Sequence, residues 1–297
     1  MGSNPISRIS CRKPLPRQQG LSKELPLYYC EEAYGLTFSE LEMGDIQMEF
    51  TSFHGQSVFI AGAANGIGAA AARLIAERGG KVFIMDIAEE ALSKLQKELS
   101  LPDEQVSLID LGDQESVAVT IRTFISRSGR VDALINSAGI VGPNSTKVEN
   151  IPWVDFERAV RINLFGAIWL TQAVLPIMKE QKYGRIAHVA SIAGKEGNPG
   201  MAPYNVAKSG LIGFVKGVGK EVAPDGIVIN ALAPAVIRTE LNANTSEEML
   251  AYMISRIPMG RQGEVEEVAE MLAFMASRAC SFTTGFTFDA SGGRATY

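Results

Sequence analysis

Residues 57–86 constrain this chain more than any other stretch. Ser57-Val-Phe-Ile-Ala61 is a short apolar run of strand character. Gly62-Ala-Ala-Asn-Gly66-Ile-Gly68 follows at once, then a helical pattern over 69–78, a Gly79-Gly80 stop, and a second apolar run, Lys81-Val-Phe-Ile-Met-Asp86. Strand, glycine turn, helix and strand in that order predict a parallel βαβ unit. Glycines in the turn let the backbone approach a pyrophosphate, and free N–H groups at the helix start favour its charge. Gly62, Asn65, Gly66, Ile67 and Gly68 form that candidate cradle. Asp86 stands eighteen residues after Gly68, where a carboxylate can accept hydrogen bonds from both hydroxyls of an adenosine ribose. The unit predicts dinucleotide binding.

A second constellation lies more than a hundred residues on. Tyr204 and Lys208 are four residues apart, so on a helix they share one face. An ammonium beside a phenol favours the phenolate and brings its pKa towards the working range. Ser191 ends the apolar run Ile186-Ala-His-Val-Ala190, where a hydroxyl can hold the oxygen that Tyr204 protonates or deprotonates. Roughly 0.3 Tyr-x-x-x-Lys pairs arise by chance in such a chain, so the pair gains weight only beside the glycine turn.

Composition narrows the field. A net charge of −5 and a pI near 5.3 argue against nucleic acid as a partner. No apolar run approaches the roughly 18 residues of a membrane span, so no membrane is expected. Three cysteines (Cys11, Cys30, Cys280) and two histidines (His54, His188) suit neither a disulfide framework nor a zinc site, so no metal is expected, and a reducing, cytoplasmic setting fits. Residues 1–23 carry five basic residues and no acid; residues 24–50 carry seven acids and no base. Residues 1–50 read as a disordered extension. An organellar transit peptide and a start at Met43 or Met48 are the alternatives. Residues 51–297 read as one catalytic domain.

The spacing Gly-x-x-x-Gly-x-Gly, with Ser191, Tyr204 and Lys208, resembles the short-chain dehydrogenase/reductase family over residues 55–297. The resemblance implies an α/β fold with one doubly wound, parallel, seven-stranded sheet in the order 3-2-1-4-5-6-7. It implies that Asp110, with Leu111, meets the adenine, and that Asn136-Ser-Ala138-Gly139 is a strand end lining the cofactor. It makes Asn163 a fourth catalytic residue, anchoring a water that carries the proton out past Lys208. It makes Pro234, Val236, Ile237 and Thr239 holders of a nicotinamide amide. Ser137, Ala235 and Ala61 depart from the family pattern by small-for-small changes. Residues 238–258 resemble the family's substrate lid. Gly210, Gly213 and Gly217 share a helix face, which the resemblance assigns to a homotetramer interface. Each residue also has an ordinary reading: Asp110 and Asn136 as turn formers, Asn163 as a polar helix residue, His188 as structural, Trp153 and Trp169 as packing.

The expected activity is hydride transfer between a secondary alcohol or ketone and NAD, because Asp86 would repel a 2′-phosphate. Reduction of an acyl-carrier-protein thioester with NADPH and a silent dinucleotide-binding regulator are the alternatives. Residues 286–297 and 194–200 are similar to dehydrogenases that oxidise the C4 hydroxyl of 2-keto-3-deoxy sugar acids. Lys195, Arg238, Arg256 and Arg294 fall on loops expected near the site mouth. A local excess of cations in an acidic chain suggests an anionic small-molecule substrate, and Lys195, Arg238 and Arg294 are its candidate contacts. For any one of them, a solvated surface charge is the ordinary reading.

Overall fold

The computed structural model describes residues 52–239, 245–295 and 297. The N-terminal extension therefore lies outside the described residues, as does part of the 238–258 segment. Within them the expected unit forms: β1 (Ser57–Ala61), α1 (Gly66–Glu77) and β2 (Lys81–Asp86). The helix starts three residues before the 69–78 pattern, because Gly66 and Gly68 lie in its first turn.

The pattern repeats through α2 (Glu89–Glu98), β3 (Val106–Leu108), α3 (Gln114–Ser128), β4 (Ala133–Asn136) and α4 (Trp153–Gln181). It continues with β5 (Gly184–Val189), a short α5 (Ile192–Glu196), α6 (Ala202–Val222) and β6 (Ile227–Pro234). The last elements are α7 (Glu247–Ser255), α8 (Val265–Ala276) and β7 (Thr287–Ala290). All seven strands run parallel in the order β3-β2-β1-β4-β5-β6-β7, as expected.

Both sheet faces are covered, which explains why the strands read as continuous apolar runs rather than alternating ones. Val58 and Ile60 point into one layer with Ala71, Ile75 and Leu272; Phe59 and Ala61 point into the other with Ile121, Leu170 and Leu211. Phe59, Phe83 and Phe124 form an aromatic trio with centroids 5.0–5.4 Å apart. Phe53, ahead of β1, is fully buried beside Gly80 and Ile75.

Helix α4 departs from expectation. It runs 29 residues and is, by length and composition, apolar enough to cross a bilayer, with a mean hydropathy of 1.4 over its most apolar window. Its charges lie in the first turns, up to Arg161, and at Lys179 and Glu180 in the last, which leaves 162–178 uncharged between them. Ala167, Leu170, Val174 and Met178 bury one face of that apolar stretch in the core beside the sheet. Arg161–Phe165 widens into a π turn, a local device often found at functional sites.

The glycine face of α6 divides. A Cβ at Gly210 would meet the Leu164 side chain within the chain, whereas Gly213 and Gly217 face open space. Gly210 is thus used internally, and only Gly213 and Gly217 remain for another helix.

Candidate active site

Register places the chemistry at one end of the sheet. Ala61 pairs with Met85 on one side and Asn136 on the other, and Asn136 pairs with His188. The strand order reverses between β1 and β4, and a cavity of about 460 Å³ opens at their C-terminal ends, where open α/β sheets bind ligands.

The cradle is closely built. Gly62 has φ +75°, and a Cβ there would collide with the Ala138 backbone; one on Gly68 would strike the Gly62 carbonyl. Ser137, the departure from the family pattern, donates to that same carbonyl at 3.1 Å. Asn65 precedes α1 without a side-chain cap bond and lines the cavity with Gly62, Gly66 and Ile67. Asp86 accepts from Ala64 N and Ala88 N, both at 3.0 Å. That tie fixes the carboxylate at the cavity wall beside Ile87. These residues fit a dinucleotide: the cradle has no room for side chains and the acid is preset. Asp110 and Leu111, Ala138 and Gly139, and Pro234, Val236, Ile237 and Thr239 complete the wall.

Ser191, Tyr204 and Lys208 line the same cavity. Ser191 stands two residues beyond β5 as the N-cap of α5, accepting from Ala193 N at 3.1 Å. Helix α5 lies directly on α6, because Gly194 leaves no Cβ against the Lys208 backbone and Ser209 Oγ donates to Gly194 O at 2.8 Å. Lys208 is 4% exposed, and its Nζ donates to Val189 O at 2.8 Å, 5.6 Å from the Tyr204 ring centroid. Burial lowers Lys208 to about 8. The expected depression of Tyr204 is not seen: burial raises the phenol, and its hydrogen bond with Ser191 opposes that shift. Lys208 turns its charge onto the Val189 carbonyl, not onto the phenol oxygen.

Asn163 and Asn136 are second differences. Asn163, 1% exposed, lies behind the wall in the π turn. Its amide donates to Ile140 O (2.8 Å) and Ala159 O (2.9 Å) and accepts from Ile140 N (3.3 Å). Its side chain is therefore fully engaged in holding the β4 exit, which is why it does not face the cavity. Asn136 also sits behind the wall. Its Oδ1 takes Ala138 N at 3.2 Å, and its Nδ2 meets His188 Nδ1 at 3.4 Å. Thr171 Oγ1 donates to Ala167 O at 2.8 Å, leaving lone pairs for His188 Nε2 at 2.9 Å. The proton of the imidazole is thus on Nε2. Burial pushes His188 down to about 3, so it stays neutral. The structural reading of His188 is the one the contacts support.

The expected substrate cations separate. Arg294 lines the cavity; Lys195 and Arg238 do not. Lys195 is 3.4 Å from Asp289 and stacks its ammonium over the Tyr297 ring, whose hydroxyl donates to the Lys195 carbonyl. Arg238 is exposed and paired with Glu264. Ion pairing within the fold thus claims both. Arg158, which the sequence reading missed, lines the cavity and has no ion-pair partner among the described residues. Its one signal is helical: Arg158 and Ile162 are one turn apart on α4 and both face the cavity.

Comparison with known proteins agrees with this geometry. A family model described as Enoyl-(Acyl carrier protein) reductase matches residues 62–295. The chain belongs to the short-chain dehydrogenase/reductase family. It is an oxidoreductase acting on CH–OH groups. A relative in the family, the 2-dehydro-3-deoxy-L-rhamnonate dehydrogenase (NAD(+)) of Sphingomonas sp. (strain SKA58), is 44% identical over 246 residues, 82% of this chain and 97% of that one. A 3-oxoacyl-[acyl-carrier-protein] reductase of Thermotoga maritima is 36% identical, covering 80% and 97%. The solved structure of gox2181 superposes with a TM-score of 0.79 at 34% identity, covering 83% of this chain and 98% of its own. Levodione reductase gives 0.77 at 30%, covering 82% and 100%.

Proposed function

We propose that this enzyme oxidises a secondary alcohol of a sugar acid with NAD, specifically the C4 hydroxyl of a 2-keto-3-deoxy sugar acid. The observation that carries the reading is that Ser191, Tyr204, Lys208 and Arg294 line one cavity with the glycine cradle and Asp86. The 44% identical relative bears a name with that substrate class and cofactor. Bound NAD supplies a nicotinamide carbon that accepts the hydride. Ser191 holds the substrate oxygen and Tyr204, as phenolate, takes its proton. Lys208, held on the Val189 carbonyl, reaches the nicotinamide ribose, and Asn163 orders the strand exit beside them. Asp86 excludes a 2′-phosphate, with uncharged Ile87 and Asn65 beside it. Arg294 and Arg158 supply the positive charge for the acid.

Reduction of a carrier-protein thioester is the second reading, supported by the 36% identical relative. Among the described residues, no cation lies beside Asp86 in the cavity wall, which weighs against its usual NADPH. A silent regulator fits less well, since the cavity keeps its full acid–base set. Exposed Trp153, Phe282 and Phe286, with open Gly213 and Gly217, support a homotetramer. Initial rates with a 2-keto-3-deoxy sugar acid and a neutral polyol, each with NAD and NADP, test the proposal. Turnover favouring acid and NAD is expected; equal use of polyol or NADP would overturn it.

A further inference from the structure

Of the two arginines that line the cavity among the described residues, Arg294 is held from two sides. Arg294 Nε and Nη2 reach Glu196 Oε2 at 3.0 and 2.9 Å, and Nη2 also donates to Asn198 Oδ1 at 3.1 Å. The Arg294 side chain is 5% exposed and Glu196 is 19% exposed. Glu196 Oε2 also faces Arg256 Nη2 at 3.4 Å, on a side chain 41% exposed. One carboxylate thus serves two guanidinium groups, and the cluster keeps one uncompensated positive charge at the cavity wall. Among the described residues, Arg294 Nη1 finds no acceptor.

The cluster is also tied to the helix that carries the phenol. Asn205, next to Tyr204, takes Asn198 N on its Oδ1 at 3.1 Å and donates to Asn198 O at 2.8 Å. Asn198 and Arg294 both line the cavity. A chain of contacts therefore runs Tyr204, Asn205, Asn198, Arg294, with Glu196 bracing its far end.

We infer that Glu196 is a positioning residue for acid recognition: it fixes the Arg294 guanidinium so that its free Nη1 edge meets the substrate carboxylate. The inference rests on the sugar-acid reading above. An arginine that is almost buried needs a counter-charge to stay in one place. A guanidinium fixed in this way offers its remaining Nη1 N–H groups to a carboxylate at one defined point, through a charge-assisted hydrogen bond. Because the same segment is gripped by Asn205, the anchored acid lies at a set distance from the Tyr204 oxygen. Glu196 touches no reacting atom, so its effect falls on acid affinity.

The test is steady-state kinetics of Glu196→Ala, Glu196→Gln, Arg294→Ala and the double variant Glu196→Ala/Arg294→Ala. Each is assayed with a 2-keto-3-deoxy sugar acid and with a neutral secondary alcohol of similar length. Glu196→Ala should raise KM for the acid about tenfold or more, with KM for NAD and kcat/KM for the neutral alcohol within about twofold. Glu196→Gln should recover most of the loss, because its amide oxygen still accepts from Arg294. The double variant should be no worse than Arg294→Ala alone. An acid KM that is unchanged or lower in Glu196→Ala overturns the inference, and so does an equal loss on the neutral alcohol. If Arg294→Ala separates acid from alcohol and Glu196→Ala does not, only the positioning role fails. If neither separates them, the sugar-acid reading fails and takes the inference with it.

Discussion

Lys208 Nζ donates to the carbonyl of Val189 at 2.8 Å, two residues before Ser191. That bond pins α6, which carries Tyr204, to the end of the strand that delivers the serine. Its cost is a buried ammonium whose pKa falls to about 8. Below pH 8 the group is charged in both folded and unfolded chains, and the full penalty applies. Between about 8 and 10.5 the unfolded chain binds more protons than the folded one, so stability rises with pH. Lys208→Met should therefore remove turnover yet stabilise the fold at pH 7 by about 1–3 kcal/mol, after loss of the Val189 bond. The gap should shrink as pH rises above 8. Chemical denaturation at pH 7 and 10 checks this; a variant that is less stable at both values would contradict it.

Tyr204 carries the opposite prediction for rate. Burial raises the phenol, and oxidation needs it deprotonated. Then kcat/KM for alcohol oxidation should climb with pH through the alkaline range, while ketone reduction should fall. A flat oxidative profile would assign the base elsewhere.

The proposed reading makes Asp86, which also ties Ala64 to Ala88, the residue that sets cofactor choice. Asp86→Ala should lower efficiency with NAD by about tenfold or more, the worth of a lost charged hydrogen bond. Adding Ile87→Arg should raise efficiency with NADP. Unchanged NAD preference in the double variant would remove Asp86 from the selectivity argument.

The βαβ unit was legible because both of its signals are local, whereas the order of the seven strands came from the family resemblance. Apolar runs of strand length and glycines at a turn are read directly from 57–86, and the same pattern repeats down the chain. The cavity-lining part of the candidate site was legible for a related reason: Tyr204 and Lys208 meet through helical spacing, and Asp86 and Ser191 stand at or just past strand ends. What sequence could not resolve was charge pairing across distant segments. Lys195 looked as available as Arg294, yet Asp289 and Tyr297 claim it from the other end of the chain. Arg158 carried no motif, and its one signal was its place a helical turn before Ile162 on the face that meets the cavity. The pKa direction of Tyr204 was missed because burial, which a sequence does not display, outweighs a neighbouring charge turned elsewhere.

His188 tests that buried polar order. The relay from Thr171 through His188 to Asn136 requires the Nε2–H tautomer. Nitrogen-15 shifts should report neutral, Nε2-protonated imidazole down to pH 5, given a pKa near 3. His188→Phe removes the partner of Asn136 Nδ2 and of one Thr171 Oγ1 lone pair, while Asn136 Oδ1 keeps Ala138 N and Thr171 keeps Ala167 O, and should cost about 1–3 kcal/mol of stability. An imidazolium signal at pH 6 would refute the relay.

The most direct test of the central claim follows nicotinamide absorbance with NAD and a 2-keto-3-deoxy sugar acid, in the native enzyme and in Tyr204→Phe. The account predicts steady NAD reduction that falls about a thousandfold or more in Tyr204→Phe, while NAD binding, measured by calorimetry, stays within a few-fold of native. Reduction that survives in Tyr204→Phe, or no reduction by the native enzyme with any secondary alcohol, would contradict it.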